Sequence, residues 1–79
     1  MPSRRDKLIQ KIRRRPAEAE FTDVRQLLEY FDWKVARQES SHVMFVKPGE
    51  RTISVPLVSG RKVKRTYLNR ICELLGLDD

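Results

Sequence analysis

Trp33-Lys34-Val35-Ala36-Arg37-Gln38, His42-Val43-Met44-Phe45-Val46-Lys47 and Arg51-Thr52-Ile53-Ser54-Val55 decide the fold. The first run alternates apolar and polar residues loosely and the third cleanly, with the two-residue period of a strand, and the second is a short apolar run. Glu39-Ser40-Ser41 joins the first to the second, and Lys47-Pro48-Gly49-Glu50 the second to the third. Joints this short permit only antiparallel neighbours, so the reading is a three-stranded meander. The middle strand is apolar on both faces, with Val43 and Phe45 on one and His42, Met44 and Val46 on the other. One face therefore meets helices, and the other calls for a cover from a partner or a second copy of this chain.

Working outward, residues 22–31 place Val24, Leu27, Leu28 and Phe31 at i, i+3, i+4, i+7, the spacing of a core-facing helix with Thr22 as its N-cap. A first helix is expected over 4–15, carrying Leu8, Ile9 and Ile12 amid charge and stopped by Pro16, with a connector over 16–21. After a loop over 57–62, a last helix is expected over 63–75, with Leu68, Ile71, Cys72 and Leu75 inward and Gly76 as its stop. The order is α-α-β-β-β-α, an α+β layer with helices on one face of the sheet. Residues 1–79 read as one domain, of which 1–21 form a basic N-terminal helix and connector.

Seventy-nine residues leave room for only a thin core; a chain of this size buries about 60% of its unfolded surface. A deep cofactor cavity is not expected, so a ligand would lie on the outside. Seventeen Lys and Arg against eleven Asp and Glu give a net charge of +6. The excess is gathered in Arg4, Arg5, Lys7, Lys11, Arg13, Arg14 and Arg15, and in Arg61, Lys62, Lys64 and Arg65. Such clusters either attract polyanions or form solvated faces. The second leads into the start of the last helix, where free backbone N–H groups also favour phosphate.

The lone Cys72 rules out an internal disulfide and suits a reducing compartment as core filler. No apolar stretch approaches the ~20 residues of a membrane span, and the basic N-terminus has no signal-peptide core. A soluble, cytoplasmic protein without membrane association is expected. One His and one Cys thirty residues apart do not make a transition-metal site, and no paired carboxylates, phosphate-binding glycine loop or nucleophile elbow occurs. Neither metal nor cofactor is expected.

Metal-free proton transfer remains. The single histidine, His42, follows Ser40-Ser41, and an unperturbed imidazole exchanges protons near neutral pH. RNA supplies its own nucleophile, the 2′-OH, so its cleavage needs only a base, an acid and cations for the developing charge. His42 fits one proton-transfer role. Ser41 fits a phosphate contact, and Arg61, Lys62, Lys64 and Arg65 a hold on the backbone, with Arg37 as a further contact. Tyr67 either stacks on a base or fills core, as does Trp33. On residue type alone, a lone histidine opening a strand is more often structural or merely exposed than catalytic.

Leu27-Leu28, Phe31-Asp32-Trp33-Lys34-Val35 and Arg37-Gln38-Glu39-Ser40-Ser41-His42-Val43-Met44-Phe45 together resemble the HicA toxins of bacterial HicA–HicB toxin–antitoxin pairs. Pro48-Gly49, Ile53-Ser54-Val55-Pro56 and the basic loop into Thr66-Tyr67-Leu68 extend the likeness over roughly residues 22–75. The resemblance implies a double-stranded-RNA-binding-domain-like fold, ribonuclease activity on mRNA with His42 catalytic, and neutralisation by a HicB-type antitoxin. Three departures stand out: Ser40 and Asp32 replace family glycines, and the basic helix at 4–15 is longer than in the shortest members. The alternative function is a non-catalytic RNA-binding module of the same fold. An adaptor acting through the apolar sheet face is a third reading.

Overall fold

The computed structural model describes residues 3–78. Its elements are α1 (Arg4–Arg13), β1 (Glu18–Glu20), α2 (Phe21–Tyr30), β2 (Lys34–Glu39), β3 (His42–Val46), β4 (Ile53–Pro56), β5 (Lys62–Lys64) and α3 (Arg65–Leu75). The α+β class and the antiparallel meander β2-β3-β4 are as expected. The order gains two short strands, which pair with each other as a separate ribbon.

That ribbon corrects three expectations. The connector over 16–21 contains β1, the loop over 57–62 stops at Arg61 with Lys62 already in β5, and α3 begins at Arg65 instead of Val63. Lys64 is extended because its backbone is paired with Glu18. Opposite charges face each other across the ribbon, Glu18 with Lys64 and Glu20 with Lys62, around the buried pair Ala19 and Val63. Cross-strand pairs of this kind each add a few tenths of a kcal/mol to about 1 kcal/mol.

Helix α2 starts at Phe21, and Thr22 is not its N-cap; the cap is Glu20, with no side-chain bond. Tertiary contacts set this boundary: the Phe21 N–H donates to the Arg61 carbonyl at 2.8 Å, and its ring lies 6.1 Å from that of Phe45. At the far end the Trp33 and Asp32 N–H groups donate to Leu28 and Glu29 carbonyls, with Asp32 left-handed at φ 71°. These two bonds make a Schellman motif, and Trp33 and Leu28, the positions that pack in such a motif, are both buried in the core. Trp33 therefore belongs to the helix stop and not to β2, but it does fill core.

The same device closes α3. Leu77 and Gly76 donate to Cys72 and Glu73, and Gly76 is left-handed. Helix α1, capped by the Ser3 hydroxyl on the Asp6 N–H, ends two residues short of the expected position. Arg15 turns left-handed there (φ 49°) before Pro16, which has no N–H with which to complete the motif.

The core joins Leu8 and Ile12 of α1 to Val24, Leu27 and Leu28 of α2, Val43 and Phe45 of β3, and Leu68, Ile71 and Cys72 of α3. The three helices thus share one side of the meander. The opposite face carries His42, Met44 and Val46, with Ser54 and Pro56 beside them on β4 and Lys34, Arg37 and Glu39 on β2. Its apolar residues are Met44 and Val46 on β3 and Pro56 on β4, bordered by the charged residues of β2. Among the described residues, no helix is long and apolar enough to cross a membrane.

Candidate functional site

His42 opens β3 directly after the two-residue turn Ser40-Ser41, whose first residue is left-handed (φ 55°). Because Val43 and Phe45 are buried, the pleat sends His42 to the outer face, where it is exposed. Its strand partners are Glu39 on β2 and Pro56 on β4. The Leu57 N–H donates to the Ser41 carbonyl at 2.7 Å, tying this turn to the residue after β4.

From Leu57 the chain folds back at once. Val58 and Lys62 exchange both backbone hydrogen bonds around a turn in which Ser59 and Gly60 are left-handed. Strand β5 then delivers the chain to α3, whose first turns stand beside β4. The result is a surface cleft of about 490 Å³. His42, Ser54, Pro56 and Val58 line it from the sheet and its loop; Lys64, Thr66, Tyr67 and Arg70 line it from the start of α3. The spacing 66, 67 and 70 puts the last three on one side of the helix, while Leu68, Ile71 and Cys72 enter the core.

The cleft lining holds two cations and no carboxylate. Helix α3 has no acidic residue in its first turn and no side-chain cap, so the positive end of its dipole is not neutralised from within the helix. Burial raises the Tyr67 phenol above its ordinary pKa, with Arg70 opposing the shift. The phenol is therefore protonated at neutral pH and available as a donor. Another hollow, about 520 Å³ between Asp32, Lys34, Val46, Lys47 and Pro48, contains lysines but no histidine.

Of the residues singled out in the sequence, Lys64 and Tyr67 share the cleft with His42; Ser41, Arg37, Arg61, Lys62 and Arg65 do not line it. Lys62 is paired with Glu20, which holds that carboxyl below its usual range. Arg65 donates through Nε to the Arg15 carbonyl at 2.7 Å. Arg37 lies on the outer face, its Nε 3.1 Å from Glu39 Oε1, in an exposed pair of small energetic value. Arg61 is exposed in the turn before β5. Sequence reading missed Ser54, Thr66 and Arg70. Helical spacing from Tyr67 could have found Arg70, three residues on; Ser54 needs the sheet register. Among the described residues no group of three or more His, Cys, Asp or Glu is placed to hold a metal ion.

The family described as HicA toxin of bacterial toxin–antitoxin matches residues 21–77, from the first residue of α2 to just beyond α3. No curated protein and no solved structure matches the chain. The matched span includes every residue lining the His42 cleft, and α1 precedes it. With most of its length accounted for in this way, the chain belongs to the HicA toxin family of bacterial toxin–antitoxin systems.

Proposed function

We propose that this HicA-family chain is a metal-independent endoribonuclease that cuts mRNA in the cytoplasm, with His42 moving the proton. A HicB-type antitoxin neutralises it by covering the cleft and the adjoining outer face of the sheet. The observation that carries this reading is an exposed imidazole sharing one hollow with Lys64 and Arg70 and with no carboxylate.

In the proposed reaction the ribose 2′ oxygen attacks phosphorus as its proton passes to a base. The bond from phosphorus to the 5′ oxygen breaks, and that oxygen takes up a proton. The ends formed are a 2′,3′-cyclic phosphate and a 5′-hydroxyl. His42 serves one of the two proton transfers. Lys64 and Arg70 counter the charge that grows on the phosphate oxygens, the Thr66 and Ser54 hydroxyls border it, and Tyr67 offers a ring face to a base. Ser41, next to His42, and Arg37, one strand over, extend the contact along the rim. Arg61 and Arg65 flank the approach; Lys62, neutralised by Glu20, is left out of this role.

The test is incubation of the protein with end-labelled RNA. Wild type should leave cyclic phosphate and 5′-hydroxyl ends, unaffected by EDTA. His42→Ala should lower the cleavage rate by about 10²–10⁴-fold while keeping its fold and RNA affinity. Binding with no cleavage by either protein would make the chain an RNA-binding module. Magnesium-dependent cleavage leaving 5′-phosphate ends would replace this mechanism.

A further inference from the structure

The two basic clusters, 4–15 and 61–65, are far apart in sequence and meet at one junction. The Arg65 N–H donates to the Ala17 carbonyl at 3.1 Å, and Arg65 Nε to the Arg15 carbonyl at 2.7 Å. Arg15 in turn reaches Asn69 Oδ1 and Asp78 Oδ2, each at 2.6 Å. The C-terminal end of α1 is thus fastened to the first turns of α3, directly beside the residues that line the His42 cleft. Lys64, which lines that cleft, is the register partner of Glu18, and the chain from Arg14 to Ala17 continues away from it.

At this junction lies a shallow hollow of about 290 Å³, lined by Gln10, Arg13, Arg14, Arg15 and Asp78. Asp78 is engaged by Arg15. Gln10, Arg13 and Arg14 fall at i, i+3, i+4 on one face of α1 and are exposed, while Leu8 and Ile12 anchor the other face in the core. Among the described residues neither Arg13 nor Arg14 has a side-chain hydrogen bond or ion pair. Arg15 holds a left-handed backbone, a conformation that costs a non-glycine residue about 1–2 kcal/mol, and four of its polar groups are used in keeping it there. The arginine face is therefore presented on a fixed surface. A cation near a helix C-terminus also favours the dipole, which one residue in the last turn would satisfy.

We propose that Arg13 and Arg14 form a second phosphate-binding site, remote from the reacting group, on which a single RNA strand leaving the His42 cleft is held. The strand would pass over Arg65 at the junction. Three carboxylates border that path: Glu18, beside Lys64; Asp78, which Arg15 engages; and exposed Glu73 on α3, which acts on Arg15. The site takes its ligand class, RNA, from the nuclease reading above. Because α1 precedes the part of the chain matched by the family, the site is a property of this chain and its α1 helix.

The test compares wild type with the double variant Arg13→Gln/Arg14→Gln, using a 4-nucleotide and a 20-nucleotide single-stranded RNA. Affinities are measured by fluorescence anisotropy in the His42→Ala background across a salt titration. The double variant should bind the 20-mer about tenfold more weakly at low salt. Its slope of log affinity against log salt should be shallower by about 1.4, or about 0.7 for each phosphate released. With His42 restored, cleavage of the 4-mer should change less than about twofold, and Arg13→Lys/Arg14→Lys should recover most of the salt slope. An unchanged 20-mer affinity and slope would overturn the proposal; so would equal losses on both lengths, or RNA binding unchanged with antitoxin binding weakened. If wild type neither binds nor cuts RNA, the nuclease reading fails and this site falls with it; if wild type cuts both lengths and the variant matches it, only this site falls.

Discussion

His42 is held outward by what its neighbours do inward. With Val43 and Phe45 at 2% and 0% exposure, the strand cannot rotate without removing two core side chains from the interior. Tyr67 is placed by the same logic, one residue before the fully buried Leu68, so its ring is half-buried against the cleft while its phenol is kept protonated by burial. If that ring stacks on a base, Tyr67→Phe should bind RNA as well as wild type. Tyr67→Ala should lose about 1–3 kcal/mol of binding, measured by anisotropy in the His42→Ala background. Equal behaviour of the two variants would remove the stacking role.

Turns and helix ends position the site, and two of the decisive turn positions are left-handed without glycine. At Ser40, in the turn before His42, Ser40→Gly should add up to about 1 kcal/mol of stability and so raise the denaturation midpoint. Ser40→Val should lower it, because a β-branched residue is poorly tolerated at positive φ. Chemical denaturation of the two variants gives opposite signs if the turn has this geometry. Helix α1 is attached chiefly through Leu8 and Ile12, so Ile12→Ala, at a position with 0% exposure, should cost about 2–5 kcal/mol. A loss well below that range in urea melts would mean that α1 is not integral to the core.

At the scale of the whole molecule, the acidic side chains divide into two kinds. Glu20 is lowered by its hydrogen bond from Lys62, so its contribution is present above the ordinary carboxylate pKa and lost as pH falls through the folded value. Tyr67 and Cys72 are raised, in both cases chiefly by burial. Their contribution is full below the pKa of the unfolded chain and declines as pH climbs toward the raised folded values, because the unfolded chain releases those protons first. Stability should therefore fall on the alkaline side, beginning near the ordinary thiol range and steepening above about pH 10. Tyr67→Phe should flatten the steeper part of that limb in melts recorded across pH; an unaltered limb would show that the phenol does not titrate differently in the folded protein.

Alternation and helical spacing were sufficient to read the meander, the three helices, the inward faces of α2 and α3, and Gly76 as a stop, because each is a local pattern repeated over several residues. The ribbon β1–β5 was not legible as strands: three residues carry too little periodicity. Its trace, Glu18-Ala19-Glu20 against Lys62-Val63-Lys64, becomes a signal only once the pairing is known. The start of α2 escaped for a related reason, since Phe21 is set by the Arg61 carbonyl and the Phe45 ring, partners 40 and 24 residues away in the chain. For the candidate site, the sequence by itself determined the residue types on offer: one imidazole after a serine turn, an excess of cations, and a family likeness that the HicA match bears out. Only the tertiary structure decided which cations share a hollow with His42, choosing Lys64 and Arg70 and turning Lys62 and Arg65 toward Glu20 and Arg15. Residue type fixes what a side chain can do, but convergence on one point depends on strand register and helix docking, which are set by burial across the whole chain.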